Sequence, residues 1–187
     1  MKNLDNELIL YAIYGDLEAV RKMLRQGADV NTPNSGTTPL YEAVSKGNTP
    51  VIDELLKCKN IETNKYASGT GYTALHGAVF YSFHCDDSES GLLLQKLLED
   101  NRFNIRIPSR APLTIGFTPL HLAAYIGYSK GIELLIKAGA MPTDTTIINK
   151  LSVYDIAGKK NNCDKDNTEL VKFIDEIVSS TNCEVNL

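Results

Sequence analysis

The sequence predicts an all-α solenoid of about five stacked helix-turn-helix repeats with hairpin fingers between them. Two recurring phrases, and the residue types at their ends, carry that prediction. The first phrase reads Thr38-Pro39-Leu40-Tyr41 with Ala43, Thr73-Ala74-Leu75-His76 with Ala78, and Thr118-Pro119-Leu120-His121 with Ala123. Looser copies are Ser152-Val153-Tyr154-Asp155 with Ala157, and an N-terminal copy with Leu8 in the leucine slot and Ala12 in the second alanine slot. The leucine-slot residues Leu8, Leu40, Leu75, Leu120 and Tyr154 are separated by 32, 35, 45 and 34 positions. The second phrase follows at a fixed offset: GDLEAVRKMLRQGADVN from residue 15, GNTPVIDELLKCKNIETN from 47 and GYSKGIELLIKAGA from 127, with weaker forms over 92–105 and 167–177. Self-similarity at such a period marks supersecondary units that stack on one another.

Each element follows from local chemistry. Thr38, Thr73 and Thr118 are placed to cap a helix, their hydroxyls accepting a first-turn N–H. Pro39 and Pro119 follow at the first helical position, where a missing N–H costs nothing. The leucine and alanines then recur at helical spacing on one face, and the small Ala43, Ala78, Ala123 and Ala124 permit close helix approach. Gly15, Gly47 and Gly127 suit the left-handed turn that ends the first helix. The second helix carries Val20, Met23 and Leu24, then Val51, Ile52, Leu55 and Leu56, then Ile132, Leu135 and Ile136; Gly27 and Gly139 end it in the same way. No unit of this size buries its apolar face alone, so neighbours must stack. The units run over approximately 4–36, 37–71, 72–116, 117–150 and 151–180, in a single domain over 1–187. Arg21, Lys22, Arg25 and Gln26 suit a polar N-terminal cap, and the last copy, interrupted by GKKNNCDKDN at 158–167, suits a C-terminal one.

Together the two phrases resemble the ankyrin repeat family over roughly residues 4–178. The resemblance implies a concave binding face built by the first helices and the fingers, protein partners and no catalysis. It also implies that the histidine of the phrase hydrogen-bonds adjacent repeats. His76 and His121, with Tyr41 in the same slot, are therefore expected to be structural.

The 45-residue step is the departure from the period. One source is SFHCDDSESG, residues 82–91, expected to be an exposed loop between the two helices of the third repeat. The other is NRFNIRIPSRAPLTIGF, residues 101–117. Ile105, Ile107, Leu113, Ile115 and Phe117 alternate in a hairpin-like way, and Pro108 and Pro112 flank an expected tip at Ser109-Arg110-Ala111. His84, Cys85, Asp86 and Asp87 are all metal-ligand types, but tetrahedral sites use spaced pairs rather than four adjacent residues. The neighbouring carboxylates also work against a reactive Cys85 thiolate. Neither a metal nor a cofactor is expected.

Composition narrows the function. A net charge of -4 supplies no field for nucleic acid, and no apolar run is long enough to span a bilayer. The N-terminus lacks the pattern of a secretory signal, and Cys58, Cys85, Cys163 and Cys183 are read as free thiols, so a cytoplasmic monomer is expected. There is no phosphate loop, nucleophile elbow or H-E-x-x-H, and no catalytic residue is assigned. Register places Tyr14, Lys46, Phe80, Tyr81 and Tyr125 near the ends of the first helices, on the expected concave face. Arg106, Arg110 and Phe117 lie on the long finger, with Arg102 just before it. Tyrosine and arginine are frequent interface anchors, and the arginines suggest a partner with an acidic or phosphorylated segment. The expected function is a non-enzymatic protein–protein interaction module: an adaptor, an inhibitor, or a host-directed effector delivered into a host cell's cytosol. The alternative is a regulatory domain or subunit of an enzyme, with a ligand or metal site in the third-repeat insert.

Overall fold

The computed structural model describes residues 4–33, 36–85, 91–146, 148–158 and 168–184. Ten helices run through them: α1 (Leu4–Tyr14), α2 (Leu17–Arg25), α3 (Pro39–Ser45), α4 (Thr49–Leu56), α5 (Ala74–Phe83), α6 (Leu92–Leu98), α7 (Pro119–Ile126), α8 (Ser129–Lys137), α9 (Val153–Gly158) and α10 (Thr168–Glu184). Each odd-numbered helix packs on the even-numbered helix that follows it. First helices stack in a row, α1 on α3, α3 on α5, α5 on α7 and α7 on α9; α2 packs on α4, α6 on α8 and α8 on α10. This is the stacked architecture that the repeats demand.

The caps form as the residue types dictate. The Thr38 hydroxyl accepts the Tyr41 N–H at 3.2 Å, and Pro39 and Pro119 sit in the first turn. Asp16 caps α2 by accepting the Ala19 N–H at 3.0 Å. Asn48, at the start of α4, makes no side-chain cap. Its amide instead donates to the carbonyls of Ala12 (2.7 Å) and Ile13 (2.9 Å), tying the second repeat to the end of α1. Leu8, Leu40, Leu75 and Leu120 are all buried, as are Ala12, Ala43, Ala78, Ala123 and Ala124, in one core that runs from Leu8 to Ile177. Tyr154, in the leucine slot of the last copy, is only half-buried.

Three expectations shift. Helix α5 extends to Phe83, and Ser82 is buried, so the third-repeat insert begins after the helix rather than at residue 82. Ser82 stands where other repeats place Gly47 and Gly127, and without a glycine to take the left-handed turn the helix runs on. Residues 86–90 of the insert and 159–167 of the C-terminal interruption lie outside the described residues.

The fingers form no strands among the described residues, only a lone antiparallel bridge between Ala67 and Tyr72. Part of their backbone pairing goes sideways, from finger to finger: Gly69 N–H donates to Gly36 O at 2.6 Å, and Arg110 N–H to Gly71 O at 2.7 Å. Gly71 lies at φ +76°, and a Cβ there would stand 2.4 Å from the Ala111 nitrogen, so only glycine lets these two fingers touch.

The tip of the long finger also moves. Ser109 N–H donates to Phe117 O (2.7 Å) and Gly116 N–H to Ser109 O (2.9 Å), closing the finger below a turn from Ala111 to Thr114. Ser109 and Ala111 are buried, and Leu113 is 94% exposed at the apex beside Pro112. Proline at the first corner of a turn fixes φ, so Pro112 marks the tip itself rather than its flank.

Candidate functional site

The two phrase histidines are fully buried clasps. The His76 Nε2 faces the Phe117 carbonyl at 3.0 Å, and its Nδ1 faces the Thr73 hydroxyl at 2.9 Å. His121 repeats the pattern, with Nδ1 2.8 Å from the Thr118 hydroxyl and Nε2 3.0 Å and 3.2 Å from the Asp144 and Leu151 carbonyls. Carbonyls only accept, so Nε2 carries the hydrogen and Nδ1 accepts from threonine. Burial pushes the His76 pKa down to about 4, although the Phe117 carbonyl pulls the other way. Burial lowers His121 too, against the opposing Asp144 and Leu151 carbonyls and the Asp144 charge. Each ring is neutral, engaged at both nitrogens and shut off from solvent, which suits a joint between repeats. Replacing His121 with alanine is expected to destabilise the protein by about 1 kcal/mol or more, because buried carbonyls lose their donor. Chemical denaturation of the variant and parent measures this, and identical midpoints would contradict the assignment.

A second inter-repeat joint was not read from the sequence. Asn31 donates to Asn60 O (2.7 Å) and accepts from Glu62 N–H (2.8 Å). Asn64 donates to Arg102 O (2.8 Å) and accepts from Asn104 N–H (2.7 Å). The signal was present: Asn31 and Asn64 are 33 positions apart, one period, with the same polar side chain bridging successive fingers.

The expected surface residues fall into distinct environments. Tyr14 is 76% exposed at the end of α1, and Lys46 is exposed at the end of α3. Phe80 is half-buried and meets Tyr72 edge-on at 5.3 Å. The Tyr81 ring lies against Gly47, where a Cβ would stand 2.0 Å from a ring carbon, so Tyr81 is half sunk into the groove between repeats. Tyr125 is 45% exposed and meets the half-buried Phe117 edge-on at 5.7 Å. Helices α5 and α7 carry no charged residue, so the middle of the first-helix row is aromatic and uncharged.

The arginines do not form the open positive edge expected of them. Arg106 ion-pairs with Asp144 on the next finger, and Arg102 pairs with Asp100 at 2.6 Å while donating to Leu56 O at 3.0 Å. The Asp100 carboxyl is held below its usual range by that guanidinium. Arg110 lies 3.9 Å over the Tyr66 ring and makes no ion pair among the described residues. Carboxylates claim two of the three cations: Asp100 pairs with Arg102 locally, two positions away, whereas the Arg106–Asp144 pair joins residues 38 positions apart and is not legible in local sequence. Sequence reading gave Leu113 and Ile115 only a part in the hairpin alternation and Tyr41 only a structural slot, and it did not single out Tyr72; the structure leaves Leu113 and Ile115 exposed at the finger.

Among the described residues no group of three or more His, Cys, Asp or Glu is placed to hold a metal ion, and no helix is long and apolar enough to cross a membrane. The His84 Nδ1 is 2.7 Å from the Phe80 carbonyl rather than turned toward Cys85.

Stacked helix pairs, histidine clasps and a row of first helices with fingers along one edge define a helical-repeat scaffold. The family model for ankyrin repeats (three copies) matches residues 8–88, and that for a single ankyrin repeat matches 115–150. The chain is 34% identical over 111 residues to the Notch-regulated ankyrin repeat-containing protein A of Danio rerio, covering 58% of this chain and 88% of that protein. It is 29% identical over 140 residues to a putative ankyrin repeat protein of Rickettsia felis, covering 72% of this chain and 41% of that one. The chain belongs to the ankyrin repeat family. Ankyrin repeats are generally protein–protein interaction modules, and the family is generally non-enzymatic.

Proposed function

We propose that this chain is a non-enzymatic binding module that holds a partner protein along its first-helix row and finger edge. The observation that carries this is the uncharged aromatic row formed by Phe80, Tyr81 and Tyr125, buttressed by Tyr72 and Phe117. Aromatic side chains offer large contact area for few lost rotors, and clusters of them are favoured as interface anchors. Tyr14 and Lys46 extend the surface toward the first repeat. Leu113 and Arg110 extend it to the fingertip, and Arg106 to the finger edge. Because Arg106 and Arg102 already have carboxylate partners, an uncharged segment suits the centre of the surface better than an acidic one. Arg110 remains to meet an acidic group at the edge. On this reading the chain acts as a cytosolic monomer, as an adaptor, inhibitor or host-directed effector; the similarity to a Rickettsia protein supports the last of these.

The test begins with the full chain as bait and continues with titrations of the recovered partner. Replacing Tyr81 and Tyr125 with alanine is expected to cost about 2 kcal/mol or more of binding for each anchor. Replacing Arg106 and Arg110 is expected mainly to slow association and alter its salt dependence. A partner that binds both variants like the parent uses another face, and this surface would be wrong.

A further inference from the structure

We infer that the shallow pocket between α3 and α5 is the specificity site of that surface, taking one uncharged aliphatic or aromatic side chain from a linear segment of the partner. The inference rests on the interaction reading above and narrows it to one place and one chemistry. The pocket encloses about 320 Å³ and is lined by Tyr41, Ser45, Gly77, Phe80, Tyr81 and His84.

Gly77 is the first reason. It lies inside α5 with no positive φ to demand glycine, in a helix interior where glycine is unfavourable relative to alanine. The same position of the repeated phrase holds Glu42 in the second repeat and Leu122 in the fourth. A Cβ at Gly77 would stand 3.1 Å from the Ser45 Oγ and 3.3 Å from the Tyr41 ring, tight but open to small adjustment. Glycine therefore lets Ser45 and Tyr41 pack directly on the α5 backbone, at a cost to the helix, and a methyl there would push both lining residues out of place.

The walls are the second reason. Phe80 is set edge-on against Tyr72, and the Tyr81 ring lies on Gly47, so the aromatic walls are formed before anything binds. Preformed walls reduce the ordering cost of association. The third reason is polarity. Among the described residues the lining contains no Asp, Glu, Lys or Arg, and a charged side chain entering it would lose water without meeting a counter-charge from them. The Ser45 Oγ in the lining is buried and has no hydrogen-bond partner among the described residues. Turned about χ1, it would pair with a backbone or hydroxyl group of the incoming segment, which answers an otherwise unexplained unsatisfied group.

The experiment selects a phage-displayed library of random linear peptides on the full-length chain. Enriched peptides are expected to share an aliphatic or aromatic anchor. Gly77→Ala is expected to weaken them roughly tenfold or more, with thermal unfolding unchanged or raised. His84→Glu, at the exposed rim, leaves the fold intact and puts a carboxylate beside the anchor; it is expected to weaken the same peptides, and it decides the matter if Gly77→Ala fails to fold. An enriched acidic or basic anchor overturns the inference, as do peptides indifferent to both substitutions. Peptides indifferent to both but lost with Tyr125→Ala would place binding elsewhere on the same face, sinking the pocket while leaving the interaction reading intact. Recovery of a partner by the full chain without any enriched peptide has the same consequence for the pocket. Failure of the interaction reading itself would show as neither peptide nor partner.

Discussion

Replacing Leu120 with alanine is expected to lower the unfolding free energy by about 2–5 kcal/mol, the range for a large-to-small change in a closed core. Leu120 is 1% exposed, on a helix packed between α5 and α9 and against α8. A cavity there opens in a helix that three neighbours hold in place. In a solenoid each repeat is held chiefly by its neighbours, so the loss falls on the joints of the fourth repeat with the third and the fifth. Urea denaturation of the variant beside Lys46→Ala, an exposed change expected to stay within about 0.5 kcal/mol, separates core from surface. A Leu120→Ala midpoint equal to that of Lys46→Ala would show that the stack does not depend on this side chain.

Acidification is expected to destabilise the protein in a window set by the buried histidines. The folded state holds His76 at a pKa of about 4 against an ordinary 6.5. The folded state therefore takes up its proton later than the unfolded chain does. The neutral ring's contribution is fully present above pH 6.5 and is lost as the pH falls from 6.5 toward 4. The difference corresponds to roughly 3 kcal/mol at the bottom of the window. His121, also lowered by burial, adds to the loss in the same direction. Paired carboxylates such as Asp100, Glu54 and Glu133, held below their usual values, act in the same sense, also losing stability on protonation, but give way only at lower pH. Denaturation series at several pH values check this. His76→Gln is expected to be less stable than the parent at neutral pH but to show a shallower fall across the window. An equally steep fall in the variant would assign the effect to other groups.

The fold was legible because its signals are local and repeated. A threonine, a proline, a leucine and small alanines at helical spacing act through their own turn, and five copies remove the ambiguity of one. The histidines were legible for the same reason: a residue that recurs in a packing phrase has a packing role, and the clasps at His76 and His121 have the geometry expected of them. The candidate surface was legible only as a set of positions. Register put Phe80, Tyr81 and Tyr125 near the ends of the first helices. It could not say that Tyr81 would lean on Gly47, or that Asp144 would claim Arg106.

By itself the sequence determined the repeat, its helix pairs, the buried leucines and alanines, and the family, because all of these follow from interactions within one unit and from its periodic recurrence. Only the tertiary structure decided how the units meet: Leu113 rather than Arg110 at the fingertip, Arg106 paired across fingers with Asp144, the asparagine joints at Asn31 and Asn64, and a pocket between α3 and α5. Those outcomes depend on distances between residues tens of positions apart. Such distances arise when neighbouring repeats settle on one another, and no single stretch of chain encodes them.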